Sequence, residues 1–309
     1  MTTELELLAM RRAIAISALG LGTTSPNPPV GCVVLDPAGR PVGEGYHLRR
    51  GEPHAEANAL RAAGESARGG TAVVTLEPCN HLGSTPACSA ALIEAGVSRV
   101  VVAVMDPTSQ GGGGVSALRG AGVSVEAGVL ESEALLVTEP WLSSVLSGRP
   151  FVTWLCAIDP AGRPMAFAEL TAEVSAGWLE DVRNLRLQSD AVLDEQGQIA
   201  EGTRGGHGAG FRLQPEPPPV GPESLLSRLA SGGVRTLLLD GGEALAEPFL
   251  AGGLVDRAVA YSQGLDPSWR PGASAPEATL AFPPSGFELT GVQRAGSWLR
   301  ASSRFRWTY

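Results

Sequence analysis

Apolar residues recur along this chain in two rhythms. Met10, Ile14 and Leu19 fall at helical spacing and predict a helix over 10–20 that stops at Gly20. Pro28 to Leu35 is a near-continuous apolar run and predicts a buried strand. Asp36-Pro37-Ala38-Gly39 is a turn, and Val42–Tyr46 returns as its hairpin partner. The pattern then alternates. His54–Ala63 reads as a helix of good helix formers closed by Gly64. Thr71–Leu76 reads as a strand, and Thr85–Ala95 as a helix closed by Gly96. Arg99–Met105 is a strand, Val115–Ala121 a short helix and Val123–Gly128 a strand. Such alternation predicts an α/β sheet covered on both faces.

Residues 131–148 read as a helical connector, and a second domain opens at Pro150-Phe151-Val152-Thr153-Trp154. We therefore divide the chain into 1–147 and 148–309. Gln196–Pro222 is rich in Gly, Pro and Gln and predicts a long loop. Order returns with a strand over Val234–Asp240, a turn at Gly241-Gly242 and a helix over Glu243–Ala251. Leu299–Thr308 reads as a last strand closing the sheet.

Composition narrows the function classes. The chain has 309 residues and a net charge of -9, which argues against a nucleic-acid partner, since such proteins carry basic patches. It has no run of 18 apolar residues, so no transmembrane helix is expected. The acidic N-terminus, Met1–Leu8, lacks the layout of a signal peptide, and a cytoplasmic location is expected. Four cysteines in a chain of this length do not make a disulfide framework. Cys32 and Cys156 lie in apolar strand-like segments and read as core.

The other two cysteines carry chemistry. Pro53-His54-Ala55-Glu56, Glu77-Pro78-Cys79 and Thr85-Pro86-Ala87-Cys88 supply one imidazole and two thiols near predicted helix starts. Catalytic zinc commonly takes three such protein ligands and keeps a fourth position for water. Glu56 follows His54 by two residues, where it can move protons without ligating the metal. Zinc deaminases carry this pairing as H-x-E followed by P-C-x-x-C. Here the first half matches, and eight residues separate Cys79 from Cys88.

Three segments together, Ser25-Pro26-Asn27-Pro28-Pro29-Val30-Gly31, His54-Ala55-Glu56 and the run from Thr75 to Cys88, closely resemble the bifunctional riboflavin-biosynthesis deaminase/reductase family. The longer cysteine spacing, with its Gly-x-Thr-Pro loop, is typical of that family. The resemblance implies a cytidine deaminase-like three-layer α/β domain followed by a dihydrofolate reductase-like α/β domain, here truncated. It implies zinc on His54, Cys79 and Cys88, proton transfer by Glu56, and substrate contacts from Asn27, His81, Ser84, Thr85 and Asp106. The substrate would be a small aminopyrimidine, and the assembly a homodimer or homotetramer.

The sequence also departs from the family. Ser84 stands where Lys or Arg is usual. Asp106-Pro107-Thr108-Ser109-Gln110 and four glycines replace an Asp-Pro-Asn-Pro segment and its Gly-Arg-Gly loop. These positions help hold a ribose phosphate in the family, so a non-phosphorylated or otherwise altered substrate of a secondary-metabolite pathway is an alternative. The glycine run is also a candidate backbone nest for a phosphate. In the second half Leu155 replaces a lysine, Asp159-Pro160-Ala161-Gly162 a Ser-Leu-Asp-Gly motif, and Leu193–Gln198 a Val-Gly-x-Gly-Thr loop. Gly241-Gly242 resembles the segment near the cofactor's phosphates but is a weak signal alone. A degenerate, structural reductase domain without NADPH is therefore expected, with full bifunctionality as the other alternative.

Overall fold

The first helix, α1 (Glu4–Ser17), starts well before residue 10 because Thr3 and Glu6 form a capping box. The Thr3 side chain accepts from the Glu6 N–H at 3.2 Å, and the Glu6 carboxylate accepts from the Thr3 N–H at 2.7 Å. Two otherwise unpaired amides are thus satisfied at once. The periodic apolar residues alone did not mark this start. The computed structural model describes residues 1–81, 87–108, 112–159, 163–166, 176–202, 221–263, 282–295 and 298–305. The chain divides into two units, one spanning Met1–Ser147 and the other running from Gly148.

In the first unit α1 is followed by β1 (Gly31–Leu35), β2 (Pro41–Tyr46), α2 (Ala55–Ala63), β3 (Thr71–Leu76) and α3 (Cys88–Glu94). Then come β4 (Arg99–Val104), α4 (Gly114–Gly120), β5 (Ser124–Ala127) and α5 (Glu131–Ser147). The sheet order is β2-β1-β3-β4-β5. β1 runs antiparallel to β2 and β3, whereas β3, β4 and β5 are parallel. β3 and β4 read Thr-Ala-Val-Val-Thr-Leu and Arg-Val-Val-Val-Ala-Val and are buried almost throughout. Such runs suit parallel strands covered on both faces.

α2 lies directly on β2. A Cβ added at Gly45 would stand 2.5 Å from the Ala59 nitrogen and 2.6 Å from the Ala55 carbonyl oxygen, and one at Gly43 only 2.3 Å from the Ala59 oxygen. Only glycine permits this approach, and it fixes the N-terminus of α2, where His54 and Glu56 reside.

The second unit holds β6 (Phe151–Ile158), β7 (Pro164–Met165), α6 (Ala176–Gln188), β8 (Ala191–Asp194), β9 (Ile199–Glu201) and α7 (Pro222–Ser231). These lead to β10 (Thr236–Asp240), α8 (Glu243–Ala251), β11 (Arg257–Gln263), β12 (Phe287–Ala295) and β13 (Trp298–Phe305). The sheet order is β12-β13-β11-β6-β10-β8-β9, with β7 pairing to β6. Side chains of β6 alternate between two cores. Val152, Trp154 and Cys156 enter one, Leu155 and Ala157 the other. This is the period-two pattern of a strand buried on both faces.

Several details differ from the sequence reading. The loop expected over 196–222 begins with β9, antiparallel to β8. Residues 203–220 lie outside the described set. α6 and α7 were not marked, although Trp178, Val182 and Leu185 form a helical stripe and Leu225, Leu226 and Leu229 another. Charged residues between those positions dilute the stripes. The tail strand, β13, does not close the sheet at an edge: it lies between β11 and β12.

Asp256 ties the start of the second unit to its centre. Fully buried, it accepts from both Arg149 guanidinium nitrogens at 2.8 and 2.9 Å and from the Val152 N–H at 2.7 Å. Removing one partner of such a pair strands the other charge. Asp256→Ala should therefore cost about 3–5 kcal/mol, measured as a lowered guanidinium midpoint for the second unit. A shift no larger than that of an exposed control such as Glu201→Ala would contradict this account.

Candidate active site

His54 caps α2 with an extended backbone (ψ 167°), and Cys88 is the first residue of α3. Cys79 sits two residues beyond the buried Glu77, in the loop leaving the C-terminal end of β3. The Ser89 N–H donates to the Cys79 carbonyl at 3.1 Å, and the Ser89 hydroxyl donates to Asn80 Oδ1 at 2.9 Å. This loop is thereby bound to the start of α3. The site lies where α/β sheets receive ligands, beyond the carboxyl ends of their strands.

The three predicted ligands converge. His54 Nδ1 lies 3.3 Å from Cys88 Sγ and 3.7 Å from Cys79 Sγ. All three ligand atoms fall within 4.8 Å of one another, and no further His, Cys, Asp or Glu joins them among the described residues. Zinc–nitrogen and zinc–sulfur bonds of ordinary length at a tetrahedral angle hold N and S about 3.5 Å apart. The observed separations bracket that value, so the donor set fits zinc in both chemistry and spacing. Three protein donors leave one corner of a tetrahedron unfilled, as catalytic sites do.

The electrostatics agree. The Cys88 thiol and the Cys88 amide, the latter at 3.4 Å, both donate toward Cys79 Sγ. These contacts hold the Cys79 thiol well below its ordinary value. Cys88 moves in the opposite direction, chiefly through that same sulfur contact and then through burial. Both thiols must give up their protons to ligate a metal. Cys32 is fully buried in β1, and burial, then the nearby Glu56 charge, pushes its thiol well up. It is a core residue, and so is Cys156, whose thiol burial also raises.

Glu56 is 3% exposed and in hydrogen-bonding contact with the Cys88 thiol. Burial is the largest influence on it and raises its carboxyl above the ordinary range. A carboxylate tuned upward is suited to both taking and giving a proton near neutrality.

The candidate substrate residues are placed as follows. Asn27 is half-buried in the loop before β1; its N–H donates to the Thr24 carbonyl at 3.0 Å. The Trp141 indole of α5 holds the adjacent Pro26 carbonyl at 3.1 Å. Asp106 is half-buried after β4, and its Oδ1 accepts from the Thr108 amide and hydroxyl at 2.8 and 2.6 Å. His81 is exposed, and Ser84 and Thr85 lie outside the described residues.

Two residues gain weight that the sequence reading did not give them. His47 is 2% exposed and packs edge-on against the His54 ring, with centroids 5.2 Å apart. Its Nδ1 lies 3.3 Å from the Pro53 carbonyl, and its Nε2 has no partner among the described residues. Buried polar atoms without partners are rare and mark a place for a ligand or water. Glu77 is the second. Its Oε1 accepts from the amides of Gly113 at 3.1 Å and Val115 at 2.9 Å, and its Oε2 from Asp106 at 3.3 Å. The Gly112 amide donates to the Thr108 carbonyl at 2.9 Å. Within the glycine run the Gly112 and Gly113 amides are therefore committed within the protein, and Gly111 lies outside the described residues. Gly114 is also indispensable sterically, because a Cβ there would stand 1.8 Å from the Pro78 oxygen.

Comparison with known proteins places this geometry. Residues 3–104 match the family model "Cytidine and deoxycytidylate deaminase zinc-binding region". The riboflavin biosynthesis protein RibD of Mycobacterium tuberculosis is 38% identical over 287 residues, 82% of this chain and 83% of that protein. RibD of Escherichia coli K12 is 45% identical over 192 residues, 62% of this chain and 52% of that protein. The chain thus spans about half the length of this second relative. Among solved structures, the Thermotoga maritima diaminohydroxyphosphoribosylaminopyrimidine deaminase/5-amino-6-(5-phosphoribosylamino)uracil reductase superposes with a TM-score of 0.79 at 25% identity. That alignment covers 98% of this chain and 99% of the other.

Cys79→Ala or Cys88→Ala should reduce zinc from about one ion per chain to near none, while Cys32→Ala and Cys156→Ala retain it, as read by metal analysis. Retention of full zinc by the Cys79 variant would show that the convergence seen here is not the metal site. Gly114→Ala should lower zinc retention under chelator challenge, because Pro78 must move and Cys79 follows it.

Proposed function

Because this chain belongs to the bifunctional riboflavin-biosynthesis deaminase/reductase family, we propose that residues 1–147 form a hydrolytic deaminase acting on a riboflavin-precursor-like aminopyrimidine. The observation that carries this reading is the buried Glu56 beside the His54, Cys79 and Cys88 donor set. A structural metal site has no use for such a carboxylate. A zinc ion on these ligands supplies Lewis-acid activation of a water molecule.

The residues of the chain do the rest. Glu56 accepts a proton from the attacking water and delivers it to the ring nitrogen next to the carbon under attack. The second water proton passes through the same carboxylate to the exocyclic amine. The carbon–nitrogen bond then breaks, ammonia leaves, and a carbonyl remains on the ring. One water is consumed for each ammonia released. The raised carboxyl of Glu56 matches this double duty. We assign His47 Nε2, Asn27 and Asp106 to hold the ring and its arm; His81, Ser84 and Thr85 belong to the same loop region by sequence.

For the remainder, 148–309, we infer a structural role without reduction of the deaminated product. The replaced Leu155, Asp159–Gly162 and Leu193–Gln198 segments support it. A homodimer or homotetramer in the cytoplasm is the assembly we propose.

Glu56→Gln should keep zinc and lose about 10²–10⁴-fold in ammonia release. Wild-type turnover in that variant would remove Glu56 from the mechanism. Supplied with the diaminopyrimidine substrate and NADPH, the wild-type protein should release ammonia while NADPH absorbance stays constant.

A further inference from the structure

In the second unit the segment Gly241-Gly242 follows β10 and opens α8, a position at which α/β proteins commonly receive an anionic cofactor on free backbone amides. Here the Gly241 and Gly242 amides are occupied. The Gly241 N–H donates to the Leu155 carbonyl at 3.2 Å, and the Gly241 carbonyl accepts from the buried Trp154 indole at 2.8 Å. The Gly242 N–H, at the N-cap of α8, donates to Oε1 of Glu195. A Cβ at Gly241 would meet Glu195 Cγ at 2.8 Å, so the side chain lies against the turn. From another side, Met165 and Ala166 close on Gly242; a Cβ there would stand 3.0 Å from Met165 Cα.

The β8–β9 hairpin delivers Glu195. Asp194 Oδ1 accepts the amides of Gln196 and Gln198 at 3.0 and 2.8 Å. Gly197, with φ +72°, completes the turn. Glu195 is thus presented from a tight, internally bonded connection, in the place where the resembling family has a Val-Gly-x-Gly-Thr loop.

Among the described residues, several carboxylates stand around this turn. Asp240 ends β10 and Glu243 lies in the first turn of α8. Burial raises the Asp240 carboxyl, Arg186 opposes this, and Asp194 and Glu195 add to it. Arg186 is itself paired to Asp240 at 2.8 Å. The chain contains no lysine at all.

We propose that the Glu195 carboxylate stands in for a cofactor phosphate at the N-terminus of α8, closing the second unit to the dinucleotide its family uses. The residues present do not fit NADPH, and this gives the non-reductive reading above, on which the proposal rests, a specific residue as its cause.

The test is a calorimetric titration of the zinc-loaded full chain with NADPH, as wild type, Glu195→Gly and Glu195→Gln. Glycine removes both bulk and charge, and glutamine removes the charge alone. Ammonia release and the thermal unfolding midpoint report that each variant is folded. The wild type should show no saturable binding up to about 1 mM, and the glycine variant should bind at least about tenfold more tightly than that limit; a gain in either variant supports the assignment. If both variants stay folded and active yet neither gains affinity, Glu195 is not the closing group, and the proposal falls while the non-reductive reading stands. If the wild type binds NADPH and oxidises it during turnover, that reading falls and the proposal with it.

Discussion

The direct contact of α2 with β2 is the constraint on which the rest of the first unit depends. Gly43 and Gly45 remove the side chains that would otherwise hold the helix away from the sheet. The helix start then falls beside the end of β3, and one imidazole reaches two sulfurs. No individual contact at this site is strong. The donors converge because the start of α2, the loop after β3 and the start of α3 meet at one place.

Glu77 supplies the complementary constraint. Its carboxylate gathers amides from the segment after β4 and the start of α4. The Cys79 loop and the Asp106 loop are therefore one structural piece. A buried carboxylate satisfied by several N–H donors is stable without a cationic partner. The same chemistry recurs in the second unit, where Glu195 meets the Gly242 amide. In the first unit the Glu77 carboxylate joins the segment after β4 to the start of α4. In the other, Glu195 takes up a backbone donor that a phosphate would need.

The two units also differ in the electrostatics around their buried carboxyl groups. Around Glu56, burial and nearby sulfur shift a carboxyl toward the range useful for proton transfer. Around Asp240, burial raises the carboxyl, Arg186 opposes this, and Asp194 and Glu195 add to it.

The sequence alone singled out the three side chains that converge, because His-x-Glu and the two Pro-containing cysteine segments are short-range patterns with a direct chemical meaning. It also placed β3 and α8 at their observed ends, since continuous apolar runs and flanking glycines are local signals. It missed the true start of α1, although Thr3 and Glu6 carry a readable capping signature. It missed α6 and α7, whose apolar stripes are interrupted by charge. The burial of His47, the reach of Glu77 across 36 or more residues to Gly113 and Val115, and the meeting of Glu195 with Gly242 were decided only by tertiary structure. Each depends on strand order and on the close approach of distant backbone, and neither leaves a periodic trace along the chain.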